Sequence, residues 1–98
     1  MADAKPAALH VIFKGRVQGV GFRHHVSTNA AALGVTGWVR NRLDGTVEAQ
    51  MVGDGKAVNE LLRRCRTGLP AADVKEAVAQ QSLPPDPLPT GFVQRPTI

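Results

Sequence analysis

The order of hydrophobic patterns along the chain constrains its fold more than any other feature. Residues 9–14 alternate as a β-strand does, and residues 24–33 place apolar side chains on one helical face. Residues 35–41 and 46–52 are again typical of strands, with Asp44-Gly45 favouring a hairpin turn between them. A second helix follows, with apolar residues at the helical spacing i, i+3, i+4, i+7: Val58, Leu61, Leu62 and Cys65. The order strand, helix, strand, strand, helix predicts an α+β domain.

The segment after the second helix decides the architecture, and its pattern permits two interpretations. Residues 72–83 carry apolar side chains at helical spacing and are rich in Ala, Glu, Lys and Gln, which favours a helix. If they form a strand instead, the order becomes βαββαβ, a ferredoxin-like sandwich with two helices on one face of an antiparallel sheet. Prolines interrupt residues 83–91, so that stretch is expected to be a loop. Phe92 and Val93 are candidates for a short closing strand.

Length and composition limit the remaining possibilities. The 98 residues fit one domain, which we predict to span residues 9–98 after a tail of residues 1–8. A net charge of +4 suits an anionic ligand. The single cysteine, Cys65, excludes an internal disulfide and a cysteine-based zinc site, and we expect it to be buried. No stretch has the character of a membrane span or a signal peptide, so we expect a cytoplasmic protein without a membrane partner.

A glycine-rich segment at residues 15–23 separates the first strand from the first helix and ends in Arg23. Glycines let backbone N–H groups converge, and the start of a helix adds positive potential. A guanidinium there can hold two phosphate oxygens. The pattern indicates an oxyanion site, although a tight turn followed by a solvated arginine has the same spacing. A dinucleotide fingerprint does not fit because His24 stands where it requires Gly or Ala, and no P-loop Gly-Lys-Ser/Thr is present.

Two separated motifs resemble those of the acylphosphatase family. The first is GRVQGVGFR at residues 15–23, and the second is GWVRN at residues 37–41, followed by DGTVE at residues 44–48. The resemblance extends in order and spacing over about residues 9–68. It implies the ferredoxin-like fold, with a strand within residues 72–83. It also implies a hydrolase that converts acyl phosphates to carboxylate and inorganic phosphate without a cofactor or a metal.

The resemblance also implies roles for individual residues. Arg23 matches the family arginine that binds the phosphate, and Asn41 matches the asparagine that orients the attacking water. Backbone N–H groups of the 16–23 loop would complete the phosphate cradle. The candidate substrate-binding residues of this loop are Gln18, Gly19, Val20, Gly21 and Phe22. Neither motif contains an acidic residue, so a phosphate oxygen of the substrate is expected to take the proton of the water.

Other interpretations remain open from the residues alone. Asn41 precedes a turn, where Asn is common for local reasons, and Thr46 is a candidate hydrogen-bond partner beside it. RNA recognition motifs share the βαββαβ order, but residues 46–52 contain no aromatic side chain for base stacking, so we expect no nucleic-acid partner. A family member that binds anions without catalysis is a further alternative. We expect a monomer, with Trp38 as a packing anchor and Phe22 as a core contact that fixes the loop.

Overall fold

Five strands and two helices make up residues 6–98, the part of the chain that the computed structural model describes. In chain order they are β1 Ala7–Arg16, α1 Phe22–Leu33, β2 Thr36–Asn41, β3 Val47–Gly53, α2 Gly55–Thr67, β4 Asp73–Gln81 and β5 Phe92–Gln94. The predicted order of the first five elements is confirmed. Residues 1–5 of the predicted tail lie outside the described residues, whereas Ala7 and Ala8 belong to β1.

The strands form one sheet in the order β4-β1-β3-β2-β5. β1 pairs antiparallel with both β3 and β4, and β2 pairs antiparallel with β3. β5 is the exception, because it lies parallel to β2, with Val39 opposite Gln94. The ferredoxin-like α+β fold is thus confirmed, and its antiparallel four-stranded sheet is extended by one short parallel strand.

Both helices cover the same face of the sheet and enclose the core. The sheet contributes fully buried side chains from β1, β2 and β3: Val11, Phe13, Val39, Val47, Ala49 and Met51. The helices contribute Val26, Ala30, Val58, Leu61 and Cys65. The predicted stripe of α2 therefore faces the core, with Leu62 only partly buried. The expected burial of Cys65 is confirmed, and burial raises the pKa of its thiol to about 12.

β4 is a strand, although its composition favours a helix. It pairs with β1 along its whole length, from Leu9 opposite Gln81 to Arg16 opposite Asp73. Ala77 packs against the core while the residues on either side of it are exposed or half-exposed. Tertiary pairing has overridden intrinsic propensity here, as is common for edge strands with few apolar residues.

Local signals at the helix ends act as the sequence predicts. Gly34 ends α1 in the left-handed conformation, with a φ of 72°. Asp54 caps α2, since its Oδ2 accepts a hydrogen bond from the backbone N–H of Lys56 at 3.1 Å. Gly45 has a φ of 92° and closes the β2–β3 hairpin.

The open face of the sheet carries a polar network. The Glu48 carboxylate lies 2.6 Å from His10 Nε2 and accepts a hydrogen bond from Arg40 Nε at 2.8 Å. The guanidinium carbons of Arg40 and Arg95 lie 4.6 Å and 4.8 Å from the centre of the Trp38 ring. Trp38 therefore packs between cationic side chains, as an anchor of this face.

Candidate active site

The two sequence motifs meet at one end of the sheet. β1 and β2 both end there, α1 begins there, and a cavity of about 150 Å³ opens between them. The cavity is lined by Val17, Gly19, Gly21, Phe22, Arg23, His24, Asn41 and Gln94. Arg23 from the first motif and Asn41 from the second thus share one cavity wall, which the βαβ connection brings together from distant positions in the chain.

The backbone of the loop turns at two glycines. Gly19 and Gly21 have φ values of 74° and 81°, in the left-handed region, and an added Cβ would meet no atom within 4 Å at either position. Glycine is therefore required for conformation rather than for space. The turn at Gly21 leads directly into α1, and the first residues of this helix, Phe22 and Arg23, line the cavity.

The backbone N–H groups at the start of helix α1 have no side-chain acceptor and no nearby negative charge from their own turn. Gly21 is its N-cap, no side chain caps the helix, and the first turn contains no acidic residue. The first hydrogen bond within the helix joins the N–H of His25 to the carbonyl of Gly21 at 3.0 Å. The N–H groups of the preceding turn have no acceptor within the helix. Together with the helix dipole they make this end of the cavity favourable to an anion.

Two side chains fix the loop to the rest of the molecule. Gln18 Nε2 donates to the carbonyl oxygens of Arg42 and Thr46, both at 2.8 Å, and so ties the loop to the β2–β3 hairpin. Phe22 is 1% exposed, and its ring packs edge-on against Phe13 with ring centres 5.0 Å apart. The expectation that Phe22 fixes the loop as a core contact is confirmed.

Not every candidate binding residue lines the cavity. Gly19, Gly21 and Phe22 do, whereas Gln18 and Val20 do not. The Gln18 side chain is committed to the hairpin, and Val20 packs against the core. Any contribution of these two residues to ligand binding comes from their backbone.

Arg23 differs from most of the other described arginines in having no acidic neighbour. Within residues 6–98, ion pairs engage the guanidinium groups of Arg40, Arg42, Arg63 and Arg64. No carboxylate of the described residues lies within ion-pair distance of Arg23, which is half-buried on the cavity wall. Its charge is therefore available to an anion in the cavity.

Asn41 lies at the end of β2 and points to the same face of the sheet as the buried Val39. Its side-chain oxygen is buried and accepts no hydrogen bond from the described residues. An unsatisfied buried acceptor costs about 1–3 kcal/mol. The terminal torsion of an asparagine is broad, so a modest rotation can turn this oxygen towards a donor in the cavity.

The expected support of Asn41 by Thr46 is wrong. The Thr46 hydroxyl donates to Asp44 Oδ1 at 2.6 Å, and the Thr46 backbone N–H donates to the same oxygen at 3.0 Å. These local bonds form because an aspartate two residues earlier in a tight turn is the nearest acceptor. Thr46 instead helps the site through its carbonyl, which holds Gln18.

Two cavity residues do not follow from the sequence patterns. His24 is exposed, as expected, yet it also lines the cavity. Its position in the sequence next to Arg23 is the one feature that could have predicted this. Gln94 follows a proline-rich loop in a strand of three residues, which is too short to show a pattern. Its pairing beside β2 places it on the face that carries Asn41.

The chemistry of the cavity is that of an anion site. The residues that line it carry a guanidinium, two carboxamides and an imidazole, and none of them is acidic. Residues 6–98 contain no cluster of three His, Cys, Asp or Glu side chains that could hold a metal ion. Over the same described stretch, no helix has the length and apolar character needed to cross a membrane.

Comparisons with known proteins agree with this geometry. The family model described as Acylphosphatase matches residues 9–93. The chain is 54% identical to an acylphosphatase of Acidiphilium cryptum, covering 92% of this chain and 97% of the relative, and 52% identical to one of a Synechococcus strain, covering 92% and 94%. A crystal structure of acylphosphatase from Bacillus subtilis superimposes with a TM-score of 0.85 at 31% identity, covering 91% of this chain and 98% of the other. The chain therefore belongs to the acylphosphatase family.

Proposed function

We propose that this enzyme hydrolyses acyl phosphates to a carboxylate and inorganic phosphate, with the phosphate held by the 16–23 loop and Arg23 and the water oriented by Asn41. Membership of the family supports the reaction. The observation that carries the residue roles is the shared cavity of Arg23 and Asn41 at the uncapped start of α1. In this proposal the enzyme is a cytoplasmic monomer that needs no cofactor.

Phosphate binding rests on groups that have no competing partner. In this proposal the N–H groups of the glycine turns and of the uncapped start of α1 bind the phosphate, and Arg23 on the cavity wall adds a full positive charge. Hydrogen bonds to a charged group contribute about 1.5–3 kcal/mol each. A few such bonds suffice to hold a single phosphate group without a metal ion.

The chemical step requires little from a protein acid. The leaving group of an acyl phosphate is a carboxylate, which is already stable as an anion. Phosphoryl transfer then depends mainly on position and on stabilisation of charge on the phosphoryl oxygens. The loop and Arg23 supply both, and the absence of acidic residues from the cavity wall keeps repulsion low. The proton of the attacking water passes to a phosphate oxygen of the substrate.

Asn41 orients the water in this proposal. Its carboxamide can accept a hydrogen from the water and donate to a phosphoryl oxygen. The side-chain oxygen of Asn41 is buried and accepts no hydrogen bond from the described residues. Substrate binding therefore has to rotate the carboxamide so that this oxygen faces the water in the cavity. This rotation is a small local change, and it satisfies an acceptor that otherwise has no partner among the described residues.

Paired substitutions test the two roles separately. Arg23→Ala should abolish inhibition by inorganic phosphate and turnover of acetyl phosphate together, because it removes the charge that holds the anion. Asn41→Ala should leave phosphate inhibition within about twofold of the wild type, because the loop and Arg23 still hold the anion, and should lower kcat by about 10²–10³, because the water loses its partner. Phosphate release is measured in the presence of a metal chelator.

Matched controls lie on the exposed side of α2, away from the cavity. Arg66→Ala and Asn59→Ala make the same chemical changes at exposed positions and should keep wild-type activity. Wild-type turnover by Asn41→Ala would contradict the assigned role. Phosphate binding by the wild type without any release of product would instead support an anion-binding member of the family.

A further inference from the structure

His24 brings a second basic side chain to the cavity, and the proposed roles do not use it. It follows Arg23 in the first turn of α1, and both residues line the cavity. No acidic residue lines this cavity, and within residues 6–98 no carboxylate forms an ion pair with His24. Because the cavity measures only about 150 Å³, one bound anion lies close to both basic side chains.

The adjacent His25 has partners that occupy both of its ring nitrogens. Its Nε2 lies 3.2 Å from the carbonyl oxygen of Arg64 and has to donate to it. Asn29 Oδ1 accepts a hydrogen bond from Arg64 Nη1 at 3.1 Å, so Asn29 Nδ2 is the atom that lies 3.3 Å from His25 Nδ1 and donates to it. A second proton on this ring would break the contact with Asn29.

The contacts of His24 leave room for a second proton. Its Nε2 lies 3.5 Å from the hydroxyl of Thr28, which can either donate to a ring nitrogen or accept from one. The ring is exposed, so a proton can reach it from water. Of the two adjacent histidines, His24 is therefore the one that can gain a charge without losing a hydrogen bond.

Other charged groups around α1 are directed away from the cavity. The helix packs against α2, β2 and β5, and no charged side chain of these three elements lines the cavity. Arg40 of β2 and Arg95 of β5 lie against Trp38 on the open face of the sheet. Arg64 of α2 binds Glu60 on its own helix at 2.9 Å. An anion in the cavity thus meets one guanidinium and one imidazole at the wall, and no negative charge.

We propose that His24 is a second, proton-dependent cation of the anion site. It takes up a proton from solvent when a dianion enters the cavity, and the imidazolium then helps to bind that dianion. In the empty cavity the charge of Arg23 opposes this proton, whereas a bound dianion favours it. The coupling is reciprocal, so the affinity for a dianion rises as the pH falls through the range in which histidines ordinarily gain their proton. The inference rests on the proposed function in one respect, that an anion occupies this cavity.

The test uses sulfate, which is a dianion throughout the range from about pH 8 to about pH 5.5 in which histidine charge changes. From the higher to the lower pH, the Kd of the wild type for sulfate should fall by about three- to tenfold, the effect of one partly screened charge. Calorimetry in two buffers of different ionisation enthalpy should show proton uptake on sulfate binding near neutral pH. In His24→Gln, which cannot gain a charge, both the pH dependence and the proton uptake should disappear.

Three further variants separate the charge of His24 from other effects. His24→Lys carries a permanent charge and should bind sulfate at about pH 8 as tightly as the wild type does at about pH 5.5. His10→Gln on the open face of the sheet and His25→Gln between the helices make the same change as His24→Gln and should keep the wild-type pH dependence. Circular dichroism confirms that each variant is folded.

The outcomes distinguish this inference from the proposed hydrolysis. Full pH dependence in His24→Gln, or a wild-type affinity for sulfate that does not change with pH, overturns the inference. Sulfate-linked proton uptake that depends on His24 supports it even if the wild type does not turn over acetyl phosphate. Failure of the wild type to bind sulfate overturns both this inference and the proposed phosphate site.

Discussion

At the scale of single residues, Gln18 shows how a motif residue can serve a site without touching the ligand. The family resemblance places it in the phosphate-binding loop, and the structure turns its side chain to the carbonyl oxygens of Arg42 and Thr46. The two hydrogen bonds span the gap between the loop after β1 and the hairpin after β2. Gln18 therefore joins the 16–23 loop to the hairpin that follows Asn41.

Replacement of Gln18 by leucine should loosen this connection. The change removes two hydrogen bonds of about 0.5–1.5 kcal/mol each, while both carbonyl groups keep a backbone donor in the hairpin, so we expect a loss of about 1–3 kcal/mol in the free energy of unfolding. Turnover should fall more than phosphate binding, because Asn41 loses its position relative to the loop. Urea unfolding and kinetic constants measure the two effects. Equal stability of Gln18→Leu and the wild type would show that the bonds are not maintained in solution.

The residue roles were accessible to sequence reasoning only where a motif carried them. The family motifs single out Arg23 and Asn41, and the structure brings both to one cavity, while their roles remain predictions. Thr46 was assigned to the wrong partner, since a local aspartate competes for its hydroxyl. Gln94 carried no signal, because its place depends on a parallel pairing that no local pattern encodes.

At the scale of elements, strands and helices with a clear apolar period were predictable from the pattern itself. The strand within residues 72–83 followed only from the family resemblance, and the closing strand was only a candidate. α2 has both a stripe and a cap, so its existence and position follow from sequence. β4 has helix-favouring residues and becomes a strand because β1 offers it a free edge. β5 is too short for a period and follows a proline-rich segment.

The β1–β4 pairing depends on an irregularity at Gly15. The register of the two strands shifts between Lys14 and Gly15, and Gly15 has a φ of 124°. A Cβ at this position would overlap the carbonyl oxygen of Asp73 and lie 2.8 Å from the backbone nitrogen of Lys75. The bulge therefore has no room for any side chain.

Gly15→Ala should consequently be far more harmful than an alanine at another glycine with positive φ. We expect a loss of more than about 3 kcal/mol, since both backbone strain and overlap with β4 must be relieved. Gly45→Ala is the matched control, because Gly45 has a φ of 92° but open space around it, and should cost about 1–2 kcal/mol. Urea unfolding of both variants measures the difference. Equal losses in the free energy of unfolding would show that β4 moves away from an added Cβ at residue 15 without destabilising the fold.

At the scale of the whole molecule, carboxylates with lowered pKa values join separate parts of the fold. Hydrogen bonds from Arg63 and then Arg64 lower the pKa of Glu60 from 4.5 to about 2, and Arg64 also donates to Asn29 on α1. Burial works to raise the pKa of Glu48, but hydrogen bonds from His10 and Arg40 lower it overall. Glu48 connects β3 directly with β1 and β2, whereas Glu60 bonds within α2 and orients Arg64, which links that helix to α1.

The fold should therefore lose stability in acid. A carboxylate whose pKa is lower in the folded state stabilises it fully above the ordinary pKa, and this contribution disappears as the pH falls through the folded value. For Glu60 the window extends from about pH 4.5 down to about pH 2. Urea midpoints at about pH 5 and about pH 2.5 should differ less in Glu60→Gln than in the wild type. Glu76→Gln on β4 is a control at an exposed position. If the urea midpoint changed by the same amount between the two pH values in all three proteins, Glu60 would not be a source of the acid sensitivity.

The buried thiol of Cys65 gives the protein a chemical reporter of its own motion. At a pKa of about 12 almost no thiolate exists near neutral pH, and the side chain is 1% exposed, so an alkylating reagent meets it only when α2 moves away from the sheet. The modification rate then measures how often that helix opens. Because the chain has a single cysteine, the readout needs no engineering and applies to every variant that retains it.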